Sequence, residues 1–279
     1  MTSNISKRIK LITMYTLVFL LGVIQLFPLI WIVNYSLVKD TELYGKSILT
    51  IPNPPQWGNY LTAWVEGNIL RYTLNSIFVT TIVIVVTVFL SLTLGYAFSR
   101  MRWKHSKLFL TIIMLGIMIP IHTTLIPNFI IYSKLNLTDS YLGILVPYIA
   151  FSMPVGVYLM TGFLEGIPRS IEESAVIDGC GIYDIIFRII MPITKPTIVT
   201  IIVMTFISIW NEFIVASTML SNNDLKTLPF AVFNFTGQYS SRYAVQFAVM
   251  TLSAIPALIV YIVFNEQITK GVMEGSVKG

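Results

Sequence analysis

Six long apolar runs, separated by shorter polar stretches, divide the chain. Each run is near or above the roughly 20 residues that a helix needs to cross a bilayer. Their apolar residues do not show the period of two or 3.6 that is typical of half-buried strands and amphipathic helices. The pattern predicts an all-α integral membrane protein with one transmembrane domain over residues 1–279 and six transmembrane helices. The predicted spans are about 11–33, 74–98, 108–132, 141–163, 197–220 and 244–266.

The first run resembles a secretory signal peptide only in the order of its charges. It follows the basic residues Lys7, Arg8 and Lys10. A signal peptide, however, has an apolar part of about 7–15 residues and a cleavage site of small residues. The run has neither feature, so we expect an uncleaved first helix. Polar and turn-forming residues then predict a long loop over residues 34–72, with a short helix near Tyr60 to Val65.

Prolines occur in several of the predicted spans. Proline removes a backbone donor and tends to kink a helix, which lipid tolerates only where neighbouring helices or water satisfy the freed carbonyl. The residues leave open whether these kinks serve packing or help to build a cavity or a gate. The prolines concerned are Pro28, Pro120, Pro127, Pro147, Pro154 and Pro256.

The composition agrees with a membrane protein. Hydrophobic residues make up 55% of the chain and charged residues 11%, against roughly 25% charged residues in soluble domains. The net charge of +5 would also suit a nucleic-acid ligand, but no basic stripe interleaved with aromatic residues is present, so we expect no nucleic-acid partner. The single cysteine, Cys180, excludes an intrachain disulfide and a metal site built from cysteines.

Lysine and arginine are distributed unequally between the two sides of the predicted spans. Because cytoplasmic loops carry the excess of basic residues, the distribution places both termini and the segment 164–196 in the cytoplasm and the loop 34–72 outside. Twelve of the 18 basic residues lie on the predicted inner side: Lys7, Arg8, Lys10, Arg100, Arg102, Lys104, Lys107, Arg169, Arg188, Lys195, Lys270 and Lys278. The other six are Lys39, Lys46, Arg71, Lys134, Lys226 and Arg242.

The segment 164–196 is more charged than the rest of the chain. Ser170 and Glu173 have the spacing of a capping box, which predicts a helix start at Ser170. The helix should run to about Asp178 and end at Gly179, because glycine readily takes the left-handed conformation past a helix end. A second helix should begin near Ile182. Two short helices joined by a glycine turn form a knob. A knob of this kind can dock into a groove of a soluble partner or rest on the membrane, and the residues alone leave both possibilities open.

The same segment resembles the signature of binding-protein-dependent ABC importer permeases. That signature is written E-A-A, three residues, G, nine residues, I, one residue, L-P. This chain has Glu173-Ser174-Ala175, Gly179, Ile189 and Met191-Pro192 at matching intervals, with serine and methionine as the two departures. Shorter stretches resemble the carbohydrate-type permeases similar to the smaller membrane subunit of the maltose importer. They include Gly95–Arg100, Leu135–Ser140, Trp210–Phe213 and the tail Gly271–Gly279.

The resemblance implies an assembly in the cytoplasmic membrane of a bacterium. Its other parts would be a second permease subunit that forms a heterodimer with this chain, two cytoplasmic ATPase subunits or domains, and an extracellular solute-binding protein. ATP and Mg²⁺ would be bound by the ATPase partners and no cofactor by this chain. The signature segment would be the coupling helix that inserts into a cleft of the ATPase. By position, its contact residues would be Glu173, Ala175, Asp178 and Gly179, with Glu172 and Cys180 beside them.

One acidic residue, Glu212, lies inside a predicted span. An ionisable residue at that depth is a functional-site hypothesis by default. Together with Trp210 and Asn211 it offers a ring face, donors and acceptors, which suits a polyhydroxylated sugar. The alternative is a hydrogen bond or salt bridge between helices. His105 and His122 have no second ligand at metal-binding spacing, so we expect no metal site.

We expect the chain to import a di- or oligosaccharide as part of this assembly. A different kind of transporter and a different cargo are the alternatives. A secondary active transporter would need intramembrane ionisable residues, for which Glu212 is thin support. A phosphorylated polyol is an alternative cargo for an ABC importer. We expect no catalytic site, because Gly-x-Ser-x-Gly is absent, and Gly45-Lys46-Ser47 has Asp40 where a phosphate-binding loop needs glycine.

Overall fold

The computed structural model describes residues 2–43, 51–235 and 242–276, and the regular secondary structure in these ranges is helical, with no strand. The prediction of an all-α chain is confirmed. Residues 44–50 of the predicted external loop and residues 277–279 of the tail, with Lys46 and Lys278 of the charge count, lie outside the described residues.

The helices follow one another along the chain with short connections. They are α1 (Thr2–Ser36), α2 (Gly58–Glu66), α3 (Ile69–Arg100), α4 (Ser106–Met118), α5 (Leu125–Lys134), α6 (Tyr141–Glu165), α7 (Ser170–Ile177), α8 (Ile182–Asp184), α9 (Met191–Ile193), α10 (Lys195–Trp210), α11 (Ile214–Met219), α12 (Phe230–Phe233) and α13 (Tyr243–Ser276). Short 3₁₀ helices lie at Asp40–Glu42 and Ile121–Thr124, and a π-helical segment, Ile185–Ile190, joins α8 to α9. The predicted helix near Tyr60 to Val65 is α2.

Four helices are long and apolar enough to cross a membrane individually. They are Lys10–Ser36 of α1, α3, α6 and Tyr243–Asn265 of α13. The number rises to six if two bent pairs each count as one crossing, namely α4 with Ile121–Lys134, bent by 92°, and Ile182–Ile193 with α10, bent by 77°. The chain is therefore a multi-pass membrane protein with four to six apolar spans.

The third apolar run is not a straight helix. α4 ends at Met118, and Ile119 is extended, with φ −94° and ψ 113°. Proline disfavours the helical conformation of the residue before it and has no N–H of its own, so Pro120 ends α4. The chain then makes the 3₁₀ turn Ile121–Thr124 before α5 begins. The prolines that lie inside longer helices, Pro28, Pro147, Pro154 and Pro256, do not end them.

One compact unit consists of the residues up to Ile69 together with Ala231–Ile255. Asn59 of α2 donates to the carbonyls of Ser36 and Val38, at 2.8 and 3.0 Å, and thus holds the chain that leaves α1. In the membrane-spanning part of this unit, Trp31, Tyr35 and Phe247 pack edge to face with ring centroids 5.1 to 5.5 Å apart. Such pairs contribute roughly 0.5–1.5 kcal/mol beyond the area that they bury.

The second unit consists of Leu70–Phe230 and the residues from Pro256 onward, and it holds both candidate sites. Within it, α3 and α6 approach each other closely at two glycines. A Cβ atom added at Gly156 would lie 2.0 Å from the Ser91 hydroxyl, and one at Gly95 would lie 2.6 Å from Met160. Small residues allow membrane helices to approach this closely. These two glycines therefore set the separation of the two helices.

Polar side chains hold the segment 221–228 in the same unit. Asn75 of α3 donates to the carbonyls of Asp224 and Lys226, both at 2.8 Å. The carboxylate of Asp139 accepts from the amides of Ser221 and Asn222, at 3.0 and 2.7 Å. Asp139 belongs to the stretch 135–140, which resembles a recurring family motif, and in this chain it helps to hold the segment 221–228 in place.

Candidate functional site

Residues 166–194 form a knob, and its first helix ends as the sequence predicts. Gly179 has φ +83°, in the left-handed region. The Gly179 amide donates to Val176 O at 3.1 Å and the Cys180 amide to Ala175 O at 2.9 Å. These two bonds form a Schellman motif, which satisfies carbonyls that the end of α7 leaves free.

α7 begins at Ser170 as predicted, but without the predicted capping box. The N-cap is Arg169, whose own backbone is helical with φ −66° and ψ −22° and whose side chain makes no capping bond. Ser170 therefore already lies inside the first turn, where its carbonyl accepts from the Ser174 hydroxyl at 2.9 Å. The capping-box prediction for Ser170 and Glu173 is wrong, because the helical turn begins one residue earlier, directly after Pro168.

The predicted coupling residues divide between two faces of the knob. Glu173, Asp178 and Gly179 are exposed, whereas Ala175 is buried and Cys180 is half-buried. The exposed face also carries apolar side chains that the sequence motifs do not include. Ile177 is 85% exposed, Tyr183 76% and Val176 61%. Apolar side chains this exposed on a charged segment are typical of a surface that a partner covers.

The buried face of the knob packs into an apolar cluster with the membrane helices. Ala175, Ile185, Ile186 and Ile190 of the knob share this cluster with residues of α3, α6 and α10. Three of these knob residues, Ile185, Ile186 and Ile190, belong to the π-helical segment. The membrane helices contribute the other members of the cluster, which are Leu92, Tyr96, Met160, Leu164, Ile198 and Ile201.

Glu172 lies on this buried face and not with the exposed acids. Its Oε1 atom is 2.8 Å from Arg100 Nε, and the two side chains are only 12% and 6% exposed. The two groups form an ion pair, but these two atoms do not have the geometry of a hydrogen bond. The Tyr96 hydroxyl donates to Oε2 of the same carboxylate at 3.0 Å. Glu172 therefore faces the end of α3.

A cavity of about 400 Å³ lies in the second unit, lined by residues of α4, the turn Ile121–Thr124, α6 and the end of α10. Its volume falls within the roughly 300–1,000 Å³ of ligand pockets in proteins. Most of the lining is apolar, and six polar side chains interrupt it: His122, Tyr148, Ser152, Thr205, Ser208 and Glu212. Apolar walls with a few polar groups are typical of sites for small molecules.

The two long walls of the cavity have the same spacing. On α6 the lining residues include Tyr148, Phe151, Ser152, Val155 and Leu159. On the other wall they include Ile201, Met204, Thr205 and Ser208 of α10 and Glu212, two residues past the end of that helix. Both sets follow i, i+3, i+4, i+7 and i+11, which places each set on one helix face. The spacing is present in the sequence, but Glu212 was predicted for another reason, as an acidic residue inside an apolar run, and the other lining residues were not predicted. The small hydroxyl residues did not lower the hydropathy of their runs enough to mark a site.

Glu212 connects the cavity to the break in the fifth apolar run. Its carboxylate accepts from the amides of Val215 and Ala216, at 2.8 and 3.2 Å, and from the Tyr148 hydroxyl. The two amides belong to the first turn of α11, whose donors have no partner within that helix. Glu212 thus satisfies donors in the first turn of α11, and the predicted span 197–220 is two helices rather than one.

The other two members of the predicted trio lie elsewhere. Trp210 is buried and stacks on Phe206, with ring centroids 5.3 Å apart. Asn211 donates to the carbonyl of Ile207 at 2.9 Å within its own helix. Neither residue is among those that line the cavity. The structure therefore brings Glu212 together with Tyr148, and not with its neighbours in sequence.

The described part of the chain contains no group of three or more His, Cys, Asp or Glu residues able to hold a metal ion. Among the residues that line the cavity, His122 is the one with a basic side chain. Its ring nitrogens can serve as a donor and an acceptor for a polar cargo.

Comparisons with known proteins agree with this architecture. The family model described as binding-protein-dependent transport system inner membrane component matches residues 88–273. The matched range includes the knob and the cavity.

Relatives match nearly the whole chain. A putative ABC transporter permease protein of Caldicellulosiruptor is 34% identical over 252 residues, which are 90% of this chain and 91% of that protein. The sulfoquinovosyl glycerol transport system permease protein of Agrobacterium fabrum is 32% identical over 254 residues, 91% of this chain and 89% of its own. A chain in the crystal structure of a bacterial ABC transporter involved in the import of the acidic polysaccharide alginate has a TM-score of 0.82 at 24% identity, covering 94% of this chain and 97% of that one. This last likeness shows the fold.

Proposed function

Since the chain belongs to the inner-membrane components of binding-protein-dependent transport systems, we propose that it moves a di- or oligosaccharide through the membrane for an ATP-driven importer. The observation that carries the choice of cargo is the cavity, where hydroxyl, carboxylate and imidazole groups face the same space as Phe151 and Tyr148. A sugar presents hydroxyls that exchange hydrogen bonds and apolar ring faces that pack on aromatic rings. The relative from Agrobacterium, named for sulfoquinovosyl glycerol transport, supports a cargo that contains a sugar.

The proposed arrangement has six crossings, with both termini and the knob in the cytoplasm of a bacterium. It is supported by the charge distribution, in which twelve of the 18 basic residues lie on one side of the apolar runs. Six crossings follow if each bent pair counts as one span, with α10 as the part of the second pair that crosses the membrane and Ile182–Ile193 in the knob.

The proposed partners are a second permease subunit, two ATPase subunits or domains that bind ATP and Mg²⁺, and an extracellular solute-binding protein. The ATPase contact is the exposed face of the knob, where Ile177 and Tyr183 supply apolar surface and Glu173 and Asp178 supply charge. A short helix with exposed apolar side chains suits insertion into a groove. ATP hydrolysis takes place on the partners.

Transport follows from a change of access to the cavity. ATP binding closes the paired ATPases and displaces the knob, and the membrane helices then expose the cavity to the other side. A ligand shifts such an equilibrium only through contacts that differ between the two states. The knob is the part of this chain that can make those contacts with the ATPase.

The decisive experiment measures uptake by the complex reconstituted with its partners in proteoliposomes. Sugar accumulation should require ATP and should persist when an ionophore collapses the ion gradients. Uptake that follows an ion gradient without ATP would identify a secondary transporter instead. Competition by unlabelled oligosaccharides, and none by phosphorylated polyols, is expected if the cargo class is right.

The coupling contact is tested in the same vesicles with Glu173→Lys. Reversing this exposed charge should abolish uptake while the subunit still inserts into the membrane. Glu165→Lys is the matched control, because Glu165 is also exposed but ends α6 outside the knob. Unimpaired uptake with Glu173→Lys would reject the proposed contact.

A further inference from the structure

The knob is attached to the end of α3 by charged groups that are shielded from water. The Arg100 and Glu172 side chains form an ion pair at 2.8 Å and are 6% and 12% exposed. Arg100 also donates through its Nη2 atom to Ile167 O at 2.8 Å, and Tyr96 donates to Glu172 at 3.0 Å. The end of α3 thus holds both the chain entering the knob and the first turn of α7.

The buried charged groups, and not the apolar residues around them, give this attachment a fixed position. The same region contains the cluster of Tyr96, Leu164, Ala175 and Ile185. Apolar packing is non-directional, so the cluster by itself allows the knob to shift along the membrane helices. A buried carboxylate with one guanidinium and one hydroxyl partner fixes a particular position instead, because leaving either charge without its partner is costly.

A continuous chain of contacts leads from this attachment to the cavity. α3, which carries Arg100, approaches α6 so closely at Gly95 and Gly156 that neither position has room for a side chain. Gly156 itself lines the cavity. A displacement of the end of α3 therefore reaches the cavity wall through α6 without passing through a loop.

We propose that Glu172 is a positioning residue that ties the knob to α3, so that the movement imposed by the ATPase reaches the cavity wall. This role rests on the proposed function and differs from a contact with the ATPase, for which the exposed Glu173 is suited. It predicts that loss of the Glu172 charge uncouples ATP hydrolysis from transport.

The test uses Glu172→Gln in the complete complex, reconstituted in proteoliposomes, with sugar accumulated per ATP hydrolysed as the readout. Glutamine keeps an oxygen for the Tyr96 hydroxyl but leaves Arg100 without a counter-charge. We expect ATP hydrolysis to continue and the ratio of sugar to ATP to fall at least about fivefold, the lower end of typical coupling between sites. Tyr96→Phe, which keeps the ion pair, should lower the ratio less. The exposed Glu165→Gln, the matched control, should leave it unchanged.

A ratio equal to that of the unaltered complex would overturn the proposal, whatever the amount of complex assembled, because a purely structural pair changes the amount and not the ratio. If Glu172→Gln does not assemble, the paired replacement Arg100→Met with Glu172→Leu is measured, since exchanging both charges for apolar groups is often tolerated. A low ratio in that variant supports the proposal, and an unchanged ratio overturns it. An unaltered complex with no ATP-driven uptake would instead refute the proposed function.

Discussion

At the scale of single residues, the Glu212 carboxylate has two neighbours of different kinds, a helix end and a cavity. It accepts three hydrogen bonds from within the protein, given by the amides of Val215 and Ala216 and by the Tyr148 hydroxyl. An ionised carboxylate has about four acceptor positions. Most of its capacity is thus used by the protein, which favours the structural role over the sugar contact.

Glu212→Gln tests this assignment. The amide has one acceptor oxygen in place of two and loses the charge that strengthens hydrogen bonds to backbone amides. We expect the free energy of unfolding to fall by about 1.5–3 kcal/mol, the usual range for hydrogen bonds to charged groups. Thermal unfolding in detergent measures the loss, with Glu165→Gln as the control. Unchanged stability together with a changed apparent affinity for sugar would assign Glu212 to the pathway instead.

Some of the candidate site was predictable residue by residue, and the reason is chemical. Glu212 is conspicuous in an apolar run because a carboxylate there is expensive. Ser152, Ser208 and Tyr148 are not conspicuous, because hydroxyl side chains are common in membrane helices and can bond to their own backbone. The sequence does place Tyr148 and Ser152 on one face of a helix and Ser208 on a face of another. It does not show that these two faces lie opposite each other across a cavity.

At the scale of helices, the turn after α7 depends on the conformation of one glycine. Gly179 has φ +83°, and a Cβ atom added there would meet nothing within 4 Å. Space is therefore available, and only the backbone conformation disfavours a side chain. Left-handed conformations cost L-residues roughly 1–2 kcal/mol, with asparagine among the exceptions.

Gly179→Val and Gly179→Asn separate conformation from bulk. Valine should distort the turn and abolish uptake while the subunit still inserts, whereas asparagine should retain most of the uptake. Gly181→Ala serves as the control, because Gly181 has φ −75° and its added Cβ would make only an ordinary 3.8 Å contact. Equal loss of uptake in both Gly179 variants would show that the ATPase contact tolerates no side chain there, whatever the backbone conformation.

The ends of helices were predictable where a residue has one dominant preference, and not elsewhere. Gly179 ends α7 as expected because few other residues adopt its conformation. Ser170 is compatible with both an N-cap and a first turn, and Arg169 starts the helix earlier. The polar residues Asn211 and Glu212 lie at the break between α10 and α11, but the length of the whole apolar run still suggested a single helix.

At the scale of the whole molecule, membrane topology is open to direct measurement, because the chain has a single cysteine. In a Cys180→Ser background, cysteines are placed singly at Asn223 and Lys104, both exposed. A maleimide that cannot cross membranes should label position 223 in intact spheroplasts and position 104 only after permeabilisation. Cysteines added at either terminus should behave like position 104. Labelling of position 104 in intact spheroplasts would contradict cytoplasmic termini.

The family was predictable from sequence more readily than the number of crossings. The spacing from Glu173 through Gly179 to Pro192 reflects a local turn and helix, which neighbouring residues specify. The crossings depend on bends, and a bend of 92° after Met118 turns one apolar run into two short helices. Hydropathy measures how apolar a run is and carries no information on its direction.

The contact between Gly156 and Ser91 restricts how a transporter of this kind acquires a new cargo. Gly156 borders the cavity, so a side chain there would offer a simple way to shrink the space for a smaller sugar. That side chain would collide with Ser91 instead, at 2.0 Å. Other lining residues, such as Ser152, Met204 and Ser208, can therefore change the shape of the cavity without disturbing the α3–α6 contact.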